Sequence, residues 1–140
     1  MEHIDAYRRG RQVTSALCVH LVFMTKVRRG VLREEHHAAL REVFAAVCAD
    51  FGARLVEASG EDDHVHLVVA YPPPVSVSGL VNSLKGVSSR LLRTRYGAAL
   101  KTHRRHLWSP SYFAASAGGA PLHLLKQFVE AQRVVDAKTS

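Results

Sequence analysis

The chain has 140 residues, 47% of them apolar and 22% charged, the profile of one ordinary globular domain that buries roughly two thirds of its surface. This excludes a disordered tail, a collagen-like repeat and a small disulfide scaffold, and no apolar run approaches the roughly 20 residues of a membrane helix. Nineteen Lys and Arg against twelve Asp and Glu give a net charge of +7, which favours a polyanion partner, most simply nucleic acid.

Residues 1–13 are polar and read as loosely held. Their mixed charge is not that of a signal peptide, so a cytoplasmic setting without membrane contact is expected. Ala16–Met24 is a dense apolar run too short for a typical helix and reads as a buried strand. Lys26, Arg28 and Arg29 follow, and Gly30 breaks the pattern. From Glu34 to Phe51 the apolar positions Leu40, Phe44, Val47, Cys48 and Phe51 recur at helical spacing, with acidic residues in the first turn and Gly52 at the stop. Arg54–Ser59 reads as a second strand, and an acidic turn leads to a third, His64–Tyr71, which three prolines end. A second helix starts at Ser76 or Ser78, either of which can cap it. Its apolar face is Leu80, Leu84, Val87 and Leu91, and Arg90, Arg93, Arg95, Tyr96 and Gly97 close it. A fourth strand lies in Leu107–Ser116, interrupted near Pro110. Gly118 and Gly119 form a joint, and Pro121 opens a last helix within residues 120–137. Cys18 and Cys48 lack metal-ligand spacing and read as buried thiols.

The order of the first six elements is the split βαβ plan. The expected class is α+β: a ferredoxin-like, RRM-like βαββαβ sandwich with a mostly antiparallel sheet, one domain over residues 1–140, and a mobile C-terminal helix.

His64 and His66 are two apart on a strand, so both leave the same face. Two imidazoles there can hold a divalent metal from one side. The plainer alternative is a pair of locally bonded histidines. A histidine-triad hydrolase would need a third His at position 68, where Val68 stands. Phe128 and Gln132 are four apart and share a helix face. A glutamine carbonyl is a hard oxygen ligand suited to magnesium or manganese. Taken singly, the two would be a core Phe and a solvated Gln.

Five segments in register resemble one family. His20–Leu32 is similar to the first strand and basic turn of the TnpA transposases, the small single-tyrosine members of the HUH superfamily, whose insertion sequences move as single-stranded DNA. Asp63–Val69 resembles the HUH strand, and Leu80–Arg90 the DNA-contacting helix. Leu107–Phe113 resembles the fourth strand. Ser116–Ala120 with Lys126–Gln132 resembles the hinge and catalytic helix. The resemblance spans about residues 16–133.

The resemblance implies that His64, His66 and Gln132 bind Mg2+ or Mn2+, which clamps the scissile phosphate of single-stranded DNA. A helix tyrosine then attacks phosphorus and forms a 5′-phosphotyrosine. Phe128 stands at that tyrosine position and has no hydroxyl, so this chain is expected to bind DNA without cleaving it. A deliberate Tyr-to-Phe change and natural decay are the two origins that fit. Tyr112 belongs to the fourth-strand motif and reads as structural, and neither Tyr71 nor Tyr96 has a partner at helical spacing. The family also implies a homodimer with shared active sites, Gly118 and Gly119 as hinge, and recognition of an imperfect DNA hairpin. Lys26, Arg28, Arg29, Lys85, Arg90 and Arg93 are the expected phosphate contacts, with solvated surface as the alternative. Trp108 is a candidate for stacking an unpaired base, with a core place at the sheet edge as the alternative. A non-catalytic hairpin-DNA binding protein derived from a transposase is the second functional reading. An RNA-binding ferredoxin-like domain is the third, and its sheet would need more aromatics than Phe23 and Phe113.

Overall fold

The computed structural model describes residues 17–100 and 106–116. Strand β1 (Leu17–Thr25) runs into a single 3-10 turn (Lys26–Arg28), then helix α1 (Glu34–Asp50), strands β2 (Arg54–Gly60) and β3 (His64–Tyr71), helix α2 (Val77–Leu100) and strand β4 (Trp108–Ser116). The sheet order is β2-β3-β1-β4, and all three pairings are antiparallel. This is the expected α+β, ferredoxin-like arrangement. The loosely held N-terminus, the Gly118–Gly119 joint and the last helix lie outside the described residues.

Alternation along the two central strands decides which residues meet the helices. Val19, Leu21 and Phe23 of β1 and Val65, Leu67 and Val69 of β3 join one core with Leu40, Phe44 and Val47 of α1 and Leu80, Leu84 and Leu92 of α2. Each such side chain contributes about 1.5–3 kcal/mol when fully buried. Phe23 anchors the centre, with Phe44, Trp108 and Tyr112 ringed about it at 6.0, 5.8 and 6.5 Å between centroids. The intervening residues of the same strands point to the other face. There Val22 and Met24 pack with Phe113, and His64 and His66 stand opposite Met24 and Val22 in the β1–β3 register.

Local chemistry sets the ends of the helices. Ser76, of the two expected caps, is the one used: its Oγ accepts the Gly79 N–H at 2.9 Å. α1 is started by a side chain from inside it, since the Arg33 N–H donates to His36 Nδ1 at 2.8 Å. It stops at Gly52, whose φ of 73° suits glycine. α2 runs past the expected end at Gly97, to Leu100, with a break at Tyr96 (φ −128°, ψ 17°). There the Tyr96 ring meets His36 edge-on at 4.6 Å. The interruption near Pro110 is a register shift in β4, which passes from Trp108 opposite Thr25 to Tyr112 opposite Phe23. An edge strand tolerates the missing proline donor there.

His36 has the clearest pH signature in the fold. Burial lowers its pKa from the usual 6.5, and the Glu35 charge only partly offsets this. The folded chain therefore holds His36 neutral while the unfolded chain protonates it, so stability falls as pH drops below about 6.5. His66, also lowered by burial, adds to the same trend. Urea unfolding at about pH 7.5 and about pH 5.5 is expected to show a lower midpoint in acid. The difference should shrink in His36→Gln, at a cost of about 1 kcal/mol for the weakened cap.

Candidate functional site

The turn after β1 shapes the site. Val27 and Arg28 both adopt left-handed backbone, at φ 49° and 53°, which costs non-glycine residues about 1–2 kcal/mol each. Hydrogen bonds hold the turn. Thr25 Oγ1 donates to the Arg29 carbonyl at 2.7 Å, the Lys26 N–H to the Leu107 carbonyl at 2.9 Å, and the Thr25 N–H to the Asp63 carbonyl at 3.0 Å. The result aims the Arg28 guanidinium at Asp63, where Nε and Nη2 donate to Oδ2 at 3.0 and 2.8 Å. The side chains are 5% and 10% exposed.

Asp63 faces His64 with its other oxygen: Nδ1 of His64 lies 3.0 Å from Oδ1. Burial alone would raise the Asp63 pKa, but hydrogen bonds from His64 and Arg28, with the Arg28 charge, lower it overall. An ionised carboxylate only accepts hydrogen bonds, so a proton sits on His64 Nδ1, and in the neutral imidazole the lone pair is on Nε2. This is the carboxylate–histidine arrangement that orients metal-binding imidazoles. His66 is fixed from the other side, its Nε2 lying 2.9 Å from Nδ1 of His20.

The strand register thus brings His64 and His66 to one face, as the spacing predicts. Ligand atoms of Glu61, Asp63 and His64 also lie within 4.8 Å of one another. The chemistry suits a divalent cation: His64 beside the Glu61 and Asp63 carboxylates, with His66 on the same sheet face but outside that cluster. Sequence reasoning placed Glu61 in a turn and Asp63 at the head of the third-strand motif, neither as a ligand. Their signal was the acidic run directly before the histidines. It also passed over His20, whose signal was an imidazole inside an apolar strand, in step with Val22 and Met24. Gln132, Phe128, Gly118 and Gly119 lie outside the described residues.

The basic residues divide into two groups. Lys26, Lys85, Arg90, Arg93 and Trp108 line one recess of about 340 Å3 between α2 and the start of β4. Lys85 donates to the carbonyls of Ser109 and Pro110 at 2.7 and 3.2 Å, leaving one of its three N–H bonds for the recess. Burial lowers its pKa. Arg93 Nε donates to Ser89 Oγ at 3.2 Å. Arg28 does not line the recess, because its charge is spent on Asp63, and Arg29 is not part of the lining either. Trp108 takes the core place, not that of a projecting platform. It is 5% exposed, its indole N–H donates to Ser88 Oγ at 2.9 Å, and its ring packs on Phe23.

Comparison with known proteins shows the family and the fold. The family model described as "Transposase IS200 like" matches residues 13–132. The chain belongs to the IS200-like transposase family. The transposase for insertion sequence element IS200 of Salmonella typhimurium is 32% identical over 100 residues, covering 71% of this chain and 66% of that protein. The chain therefore spans about two thirds of that relative's length. A crystal structure of a candidate transposase from Deinococcus radiodurans R1 superimposes with a TM-score of 0.76 at 27% identity, covering 88% of this chain and 95% of that one. A REP-associated tyrosine transposase bound to a REP hairpin shares the fold, with a TM-score of 0.55 at 15% identity over 85% of this chain and 66% of that one.

Gly86 lies inside α2 on the recess wall, and a Cβ there would meet nothing within 4 Å. Helix propensity then predicts that Gly86→Ala raises stability by about 0.5–1 kcal/mol. Urea unfolding at neutral pH reads it as a higher midpoint.

Proposed function

We propose that this IS200-like transposase engages single-stranded insertion-sequence ends through a DNA hairpin, with metal-assisted strand-cleavage machinery that lacks its nucleophile. The observation that carries this reading is the pair His64 and His66 on one sheet face, each with one ring nitrogen engaged by a protein partner. A protein that only bound DNA would not need two oriented imidazoles.

His64, His66 and Gln132 would hold Mg2+ or Mn2+, with Glu61 available as an oxygen ligand. When bound, the ion polarises the scissile phosphate and stabilises the leaving 3′ oxygen. Arg28 keeps Asp63 ionised and in place, and Asp63 keeps the His64 lone pair on Nε2. The recess lined by Lys26, Arg90 and Arg93 gathers phosphates of the hairpin, which makes binding strongly salt-dependent. Lys26 links the two regions, because Arg28, two residues on, reaches Asp63. Phe128 occupies the position of the attacking tyrosine and offers no oxygen to phosphorus, so the chain binds and positions DNA without forming the phosphotyrosine. The active unit is a homodimer in the cytoplasm, with Gly118 and Gly119 letting the last helix reach its own subunit or its partner. Phe128 itself favours a second reading, a regulator that binds hairpin DNA and has no use for cleavage.

Restoring the hydroxyl tests the choice. Phe128→Tyr with a labelled single-stranded hairpin substrate and Mn2+ is expected to give a covalent protein–DNA band on a denaturing gel. The parent chain and Phe128→Tyr/His64→Ala should give none. Hairpin binding by Phe128→Tyr without any band would favour the regulator.

A further inference from the structure

The chemistry proposed above has no use for His20, yet its ring lies within hydrogen-bonding distance of His66. It stands on β1 opposite Val68, one step along from Val22, the residue opposite His66. The two imidazoles are therefore diagonal neighbours on the histidine face. Their rings lie nearly parallel, at 18° and 5.1 Å between centroids, with His20 Nδ1 2.9 Å from His66 Nε2.

Between two neutral imidazoles such a contact has one donor and one acceptor. If His20 donates, Nε2 of His66 is the acceptor and its own proton lies on Nδ1. Both nitrogens of His66 are then occupied, and no lone pair remains for a cation. If His66 donates from Nε2, its Nδ1 keeps a lone pair. Only the second arrangement makes His66 a ligand. A direct role for His20 as a third imidazole ligand fits less well. Among the described residues, the group whose ligand atoms gather within 4.8 Å is Glu61, Asp63 and His64, with neither His20 nor His66 in it; of those two, His66 is the one on the same strand and face as His64.

We propose that His20 is a positioning residue whose Nδ1 accepts the Nε2–H of His66, holding His66 in the tautomer that presents Nδ1 to a divalent cation. This rests on the metal role proposed for His64 and His66. Each ligand histidine then has its own acceptor, Asp63 for His64 and His20 for His66. The two rings reach the ion through different nitrogens, Nε2 of His64 and Nδ1 of His66.

The acceptor requirement separates this role from simple packing. His20→Gln supplies a carboxamide oxygen that accepts, whereas His20→Lys is of similar length and only donates. Mn2+ binding to the full chain, followed by electron paramagnetic resonance of the unbound ion, is expected to stay within about threefold of the parent in His20→Gln. It should weaken about tenfold or more in His20→Lys and His20→Ala. In the metal-free parent, nitrogen-15 shifts should show the His66 proton on Nε2, with no variant required. Equal binding by the Gln and Lys variants, or a parent His66 protonated on Nδ1, overturns the proposal. If the parent binds no Mn2+, or His64→Ala leaves binding unchanged, the metal reading itself fails and takes this inference with it. If His64→Ala abolishes binding while the His20 series is flat, the inference about His20 alone fails.

Discussion

Asp63 is the point where the turn after β1, the start of β3 and the histidine face are tied together. Its carbonyl accepts the Thr25 N–H, Oδ2 accepts two bonds from Arg28, and Oδ1 accepts from His64. The Arg28–Asp63 pair is buried, and removing one member of such a pair typically costs about 3–5 kcal/mol, because the other is left charged and unpaired. That penalty keeps Val27 and Arg28 in left-handed backbone they would otherwise leave. Strain in the turn and orientation of a histidine are thus two ends of one interaction.

The rest of the site follows from strand alternation. A one-residue slip between β1 and β3 would send His64 and His66 into the helix-covered core and turn Phe23 outward. Phe23, wedged among Phe44, Trp108 and Tyr112, fixes the register on the buried side. His20 and Asp63 fix the rings on the other side. Trp108 serves both regions. Its ring locks the start of β4 to the core, and that strand start forms the wall of the basic recess opposite α2. The fold therefore places the histidine face and the basic recess on either side of one short turn, with Lys26 facing the recess and Arg28 facing Asp63.

Much of this was legible from residue order. Alternation in HVHLVVAY put both histidines on one face, and the order of strands and helices implied the antiparallel sheet. What escaped depended on partners distant in the chain. Arg28 reads as a phosphate contact in the run KVRRG, and only the fold brings Asp63, 35 positions on, to meet it. Trp108 reads equally well as a platform or a core residue, until Phe23 and Ser88 decide. His20 sits in an apolar run where periodicity draws attention to its neighbours. Helix α2 breaks at Tyr96, one residue before the Gly97 that signals its stop, and the chain then continues helical to Leu100.

The central claim is that the sheet presents His64 and His66 together to one divalent cation. Anomalous scattering from crystals of the chain grown with Mn2+ tests it most directly. The account predicts one strong peak in bonding contact with imidazole nitrogens of both residues, with Asp63 still bonded to His64 through Nδ1. A peak held by Glu61 and Asp63 without His66, or none at either histidine, would contradict it.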